Sequence, residues 1–196
     1  MEENTLIGPA GRVETILMKK AVRLKRENDK ALRLLLYGPP GTGKTDLANR
    51  VARDLAGHEM GVESINGANV TADVVRDWQS TLRTGTLWSD WRVIVINEGD
   101  KISQQAQVIM LTLLDELRSC RAVIVTSNQE LGEMVERFQS RMQQYEVGPP
   151  AMHEISEYLV QEMTVPEVHA NAIAAGAQGN MRSAILDAES YLDCAA

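Results

Sequence analysis

The run Gly38-Pro39-Pro40-Gly41-Thr42-Gly43-Lys44-Thr45 constrains this chain more than any other feature, because it fits the spacing G-x-x-x-x-G-K-[ST]. Such a run works only between a buried strand and the first turn of a helix. Its glycines let the backbone wrap phosphate oxygens with N–H groups, and the helix adds the positive end of its dipole. The flanks agree with that demand. Leu34-Leu35-Leu36-Tyr37 reads as a short apolar strand, and Leu47, Ala48, Val51, Ala52, Leu55 and Ala56 follow as the apolar stripe of a helix. The alternative, a chance match in a Gly/Pro turn, does not account for that context. Within the loop, Pro40, Gly41, Thr42 and Gly43 shape the cradle. Lys44 supplies charge for the outer phosphates, and Thr45 a hydroxyl for Mg2+.

The remaining pattern extends the same architecture. Val13, Ile16, Leu17, Ala21 and Leu24 predict a first helix over 10–28. Residues 62–65 read as a strand and 72–82 as a helix. Val93-Ile94-Val95-Ile96 and Ala122-Val123-Ile124-Val125 are continuous apolar runs, suited to strands covered on both faces. Between them, Ala106, Ile109, Met110, Leu113, Leu114 and Leu117 give an amphipathic helix. Alternation of this kind predicts an α/β fold, a parallel sheet with right-handed crossovers and helices on both faces. Beyond Pro149-Pro150 only helical patterning remains, around 155–163, 168–175 and 185–192. That segment is too small to stand alone and is expected to pack as a small all-α lid. The expected division is a nucleotide-binding unit over 1–148 and a lid over 149–196.

The strand at 93–96 ends in Asn97-Glu98-Gly99-Asp100. Phosphoryl transfer to water needs an acid there to hold Mg2+ and a second carboxylate to orient the attacking water. Glu98 suits the second role. Asn97 occupies the metal position without the charge. The plainer alternative for Glu98 is a surface acid after a strand.

Seven short motifs occur in a telling order. They are Leu6-Ile7-Gly8-Pro9, the run at 38–45, Ile65-Asn66-Gly67-Ala68, Ile96-Asn97-Glu98-Gly99-Asp100, Thr126-Ser127-Asn128, Ser140-Arg141-Met142 and Gly179-Asn180-Met181-Arg182. Any one is weak; the order resembles that of AAA+ ATPases, and most of all the replication clamp-loader (replication factor C-like) subunits. The resemblance implies ATP and Mg2+ as cofactors, with Thr45 and Asn97 at the metal. It implies that Ile7 and Gly8 flank the adenine and that Asn128 senses the γ-phosphate or attacking water. Asn66 would restrain Glu98, Arg182 would reach from the lid to the phosphates, and Arg141 would enter a neighbouring subunit's site. The alternatives are a turn cap for Asn128 and surface ion pairs for the two arginines. Three residues depart from the family pattern: Asn97 and Asn180 stand where Asp is usual, and Met142 where Cys is usual. Clamp-loader subunits continue into a helical collar. This sequence reaches only Ala196, so ring assembly is expected through AAA+ contacts or another protein.

Charge narrows the partners. The chain carries −7 overall, yet residues 12–33 hold eight Lys or Arg against Glu14, Glu27 and Asp29, a net +5 that leaves −12 elsewhere. This segment is either a solvated helix face or a patch for DNA or an acidic partner. No run approaches the ~20 apolar residues a membrane helix needs. The acidic start lacks the pattern of a signal peptide, and Cys120 and Cys194 form no disulfide framework, so a cytoplasmic location is expected. The tryptophan-rich run Leu87-Trp88-Ser89-Asp90-Trp91 is either a partner loop or core, with Trp78 nearby.

The expectation is therefore an ATPase subunit of a homo- or hetero-oligomer, hydrolysing ATP slowly at subunit interfaces and acting on DNA or a DNA-bound protein. The second reading is a nucleotide-dependent adaptor that scarcely hydrolyses ATP because of Asn97. A small-molecule kinase has no use for Asn128, Arg141 and Arg182 in this order.

Overall fold

Five strands, β1 (Leu32–Tyr37), β2 (Val62–Asn66), β3 (Arg92–Asn97), β4 (Arg121–Ser127) and β5 (Gln143–Glu146), form one parallel sheet in the order β2-β3-β4-β1-β5. The computed structural model describes residues 5–83, 89–128 and 134–195. Register aligns the carboxyl ends: Tyr37 pairs with Ser127, Ile96 with Val125 and Asn66 with Asn97. The residues just past those ends are therefore gathered along one edge of the sheet, the place where open α/β sheets bind ligands.

The pleat sends alternate residues of each strand into two separate cores. Leu34, Leu36, Val93, Val95, Ala122 and Ile124 pack under α1 (Gly8–Glu27) and α2 (Lys44–Ala56). Leu35, Ile94, Ile96, Val123 and Val125 pack under α3 (Ala72–Thr81), α4 (Gln104–Asp115) and α5 (Glu136–Gln139). Each Leu, Ile or Val among them contributes about 1.5–3 kcal/mol by leaving water. Both faces need apolar residues, which is why β3 and β4 read as unbroken hydrophobic runs. Gln107 is a buried polar exception. Its Nε2 donates to the Ile102 carbonyl at 2.9 Å, and its Oε1 accepts from the Val135 N–H at 2.8 Å, tying α4 to the segment before α5.

A third core is made by α6 (Met152–Gln161), α7 (Glu167–Ala177) and α8 (Met181–Ala195), centred on Ile155, Leu159, Ala170, Ala174, Ala184 and Ala188. Ile7, from the segment ahead of α1, packs against it. The last part of the chain is thus the small all-α unit expected.

Several local features differ from the sequence reading. α1 starts at Gly8, with Pro9 in its first turn, where its missing N–H costs nothing. α4 ends at Asp115, so Leu117 packs from beyond the helix. Strand β5 and helix α5 had no hydrophobic signature; β5 is a mostly exposed edge strand paired only with β1. Trp78 and Trp91 are 3% and 2% exposed and belong to the core. Trp88 and Leu87 lie outside the described residues, so the partner-loop expectation falls partly there. Among the described residues no helix is long and apolar enough to cross a membrane.

Candidate nucleotide site

The loop after β1 has the backbone its sequence demands. Gly41 and Gly43 take φ of +78° and +88°, a region that L side chains rarely adopt. A Cβ on Gly41 would fall 1.9 Å from Asn180 Oδ1, so close approach matters there as much as conformation. α2 then starts at Lys44 with no side-chain cap. Its first N–H groups and positive dipole end are the donors that an anion would satisfy.

Lys44 is only 4% exposed. Its Nζ donates to the Pro39 carbonyl and lies 3.5 Å from Thr42 Oγ1, which itself donates to Pro39 at 3.0 Å. Burial is the main cause that pulls its pKa down to about 8, the nearby Asp100 carboxylate opposing this and the Arg182 guanidinium adding to it. Among the described residues no carboxylate makes an ion-pair contact with Lys44, Asp100 acting only from a distance, and a phosphate would supply such a partner.

A cavity of about 480 Å3 opens beside this loop, within the range typical of small-molecule sites. Leu6, Ile7, Ala10 and Ile185 supply apolar wall, while Gly41, Thr42, Gly43, Lys44, Thr45, Asn128 and Arg182 supply the polar groups. Eight of the expected site residues are thereby brought together. Gly8 is not among them: it packs against Glu154 and Pro150, where a Cβ would be 2.9 Å from Pro150 Cβ, although Pro150 itself lines the cavity. Pro40, Asn66, Asn97, Glu98 and Arg141 also stand outside the lining.

Around the ends of β2 and β3 lies a second polar group. Glu98 has left-handed backbone, φ 56° and ψ 54°, and begins the tight turn Gly99–Lys101. Its Oε2 accepts from Asn66 Nδ2 at 2.6 Å and from Lys101 Nζ at 2.9 Å. The Lys101 bond first, and then that from Asn66, hold the Glu98 carboxyl below the usual carboxylate range. Asn66 is itself oriented, since its Oδ1 accepts from the Ala68 N–H at 3.0 Å. Asn97 Nδ2 donates to Ser64 Oγ at 3.2 Å, and Thr126 Oγ1 donates to Asn97 Oδ1 at 3.5 Å. Asp100 accepts from the Asn128 N–H at 3.2 Å and so links this group to the cavity wall.

Arg141 is elsewhere. It grips Asp115 with two parallel bonds, Nε to Oδ1 at 2.8 Å and Nη2 to Oδ2 at 3.0 Å, while Nη1 donates to the Arg137 carbonyl at 2.9 Å. On α1, Arg12 pairs with Glu154 at 3.1 Å, Lys25 with Asp54 at 3.1 Å and Lys30 with Glu27 at 3.5 Å. Lys19, Arg23 and Arg26 remain exposed on this helix.

Two acting residues escaped the sequence reading. Asp100 stood in the run that drew attention to Glu98, and its link to Asn128 needed the register of β3 and β4. Lys101 stands three residues after Glu98, a spacing at which opposite charges meet on a turn.

ATP fits this donor set: an uncapped helix start, a buried lysine, a facing arginine and apolar wall. For Mg2+, the exposed Thr45 hydroxyl is at the cavity, and Asn97 offers a neutral amide. Among the described residues no group of three or more His, Cys, Asp or Glu gathers.

The family model for the ATPase family associated with various cellular activities (AAA) matches residues 34–148. In sequence the chain is similar to the replication factor C small subunit of Methanosarcina mazei, 26% identical over 175 residues, covering 82% of this chain and 51% of that protein. Similarity to replication factor C subunit 5 of Arabidopsis thaliana is also 26%, covering 83% and 47%. The chain thus spans about half the length of these relatives. In structure it resembles a RuvB variant of Thermotoga maritima with a TM-score of 0.76 at 19% identity, covering 98% of this chain and 66% of that one. A DNA polymerase III gamma subunit-related protein from the same organism gives 0.62 at 13% identity, covering 93% and 58%. At these identities the likeness is one of fold.

Proposed function

This chain belongs to the AAA family of ATPases, and we propose that its cavity binds ATP with Mg2+ and hydrolyses it slowly at a site shared between subunits. The observation that carries this reading is the buried Lys44 at the uncapped start of α2, facing a cavity that Arg182 also lines. In this reading Lys44 and the loop N–H groups hold the phosphates. Thr45 and Asn97 hold the metal, which neutralises phosphate charge. Glu98, once released by Asn66, orients the attacking water and takes its proton, while Asn128 positions it. Residues 149–196 act as a lid over the unit 1–148, with Arg182 reaching the phosphates from it. Arg141 lies outside its own chain's cavity, as a residue serving a neighbour's site must.

Slow turnover follows from Asn97. Losing a supporting group at a metal site costs about 10–100-fold in affinity or activity. Similarity to replication factor C subunits favours an oligomer acting on DNA or on a DNA-bound protein, and the exposed Lys19, Arg23 and Arg26 give such a partner a cationic contact. One observation favours the adaptor reading instead: the Asn97 amide is already engaged by Ser64 and Thr126. Turnover measured against protein concentration, with and without primed DNA, separates the two. A specific rate that climbs with concentration supports the shared site. Tight ATP binding with flat, near-background turnover supports the adaptor.

A further inference from the structure

We propose that Lys101 is a positioning residue that works through Glu98: with Asn66 it draws the carboxylate away from the attacking water and holds basal hydrolysis down. This rests on the role given to Glu98 above and adds a second restraint of a different kind, a charge rather than an amide.

Three observations carry it. First, both donors converge on one oxygen. Asn66 Nδ2 lies 2.6 Å and Lys101 Nζ 2.9 Å from Glu98 Oε2, and two donors occupy the lone-pair sites that one carboxylate oxygen offers. Second, the pair is built into the backbone. Glu98 begins the turn in left-handed conformation, and the Lys101 N–H closes it on the Glu98 carbonyl at 2.9 Å. That turn returns the Lys101 side chain to Glu98. Third, the two donors come from two turns in direct contact. A Cβ added to Gly67 would meet the Glu98 carbonyl oxygen at 2.2 Å, so the turn after Asn66 lies against the turn that carries Lys101. A small slide of one turn past the other takes a donor off the carboxylate.

The weight of this restraint is modest. The Lys101 and Glu98 side chains are 53% and 33% exposed, so solvent screens the pair, and its loss changes a rate by at most roughly five-fold. Lys101 therefore moderates hydrolysis, and it does so in a way that an anionic partner could relieve. The other groups that bear on this carboxylate are Asn66, by its hydrogen bond, and Arg182, by its charge. Asp100 acts on Lys101.

The test compares Lys101→Gln, Lys101→Arg, Asn66→Ala and Glu98→Gln in the full chain, reading ATP affinity and turnover near neutral pH. Lys101→Gln is expected to raise turnover about two- to five-fold near neutrality with ATP affinity unchanged. Lys101→Arg, which keeps the charge, restores the slower rate. Unchanged or lower turnover in Lys101→Gln, or a Lys101→Arg protein as fast as Lys101→Gln, overturns the proposal while leaving the role of Glu98 intact. Full turnover in Glu98→Gln would remove that role, and the proposal with it.

Discussion

The main-chain N–H of Met181 donates to the carbonyl of Gly41 at 2.9 Å, so the first turn of α8 is fastened to the phosphate loop by backbone atoms. Beside that bond, Asn180 Oδ1 accepts from the Ser183 N–H at 3.2 Å and caps the helix. The same oxygen occupies the space that a Cβ on Gly41 would need. Gly41→Ala therefore strains the loop twice, by about 1–2 kcal/mol for left-handed backbone and by displacing the helix cap. ATP affinity is expected to fall about 100-fold or more in a fluorescent-nucleotide titration. Gly41→Ala with Asn180→Ala should recover part of it, since side chains in contact couple by about 0.5–3 kcal/mol. Strictly additive losses would show that the loop and α8 are not coupled at this point.

The depressed pKa of Lys44, about 8 against 10.5, gives nucleotide binding a pH signature. Phosphate favours the charged amine, so binding raises this pKa. Above pH 8 the free protein has lost the proton that the complex needs. ATP affinity should then weaken by up to about tenfold per pH unit, with proton uptake on binding, seen by calorimetry in buffers of different ionisation enthalpy. Stability of the free protein runs the other way. The unfolded chain holds the extra proton between about pH 8 and 10.5, so the Lys44 contribution improves as pH rises through that window. Its penalty is fully present below 8. Lys44→Met should flatten that part of the stability–pH curve.

Asn97→Asp should raise turnover and tighten the Mg2+ requirement by roughly 10–100-fold. The new carboxylate keeps two hydrogen-bond donors, because the Ser64 and Thr126 hydroxyls that now contact the amide can both donate to it. The fold is thus expected to tolerate the change. Turnover titrated against Mg2+ checks it. An unchanged midpoint and rate would mean that residue 97 does not serve the metal.

Much of this was legible in the residues because buried parallel strands and phosphate loops leave strong local marks. The runs at 93–96 and 122–125 suited strands covered on both faces, and the loop at 38–45 demanded a strand before it and a helix after it. Asn66, Glu98, Asn128 and Arg182 were found by motif order, yet their grouping depends on register: Asn66 pairs with Asn97 across the sheet. What stayed hidden had no periodic signal. Gln143-Gln144-Tyr145-Glu146 is a strand because the edge of β1 was open to pair with it, not because of its side chains. Gly8 fits beside Pro150 through the packing of α1 on α6, contacts 142 residues apart that local pattern cannot announce. For Trp91 the sequence leaves partner loop and core both open, and the packing beneath α2 decides for the core.

Arg141 offers the sharpest test of a shared site. Its fork on Asp115 is open to solvent, and screened surface pairs add little to stability, so Arg141→Ala should melt close to the parent. It contributes nothing to the lining of its own chain's cavity, so ATP affinity should also survive. Turnover is the property at risk. Removing an arginine that stabilises the phosphoryl-transfer transition state costs about 10³–10⁵-fold. The decisive measurement mixes two inactive variants. Lys44→Ala has a crippled cavity but an intact Arg141, and Arg141→Ala has an intact cavity but no arginine to lend. In a mixed oligomer some interfaces pair the intact cavity of one with the arginine of the other, and turnover returns to a measurable fraction of the parent's. If the arginine acts within its own chain, or only braces α5 against α4, no mixture recovers activity at any ratio or concentration.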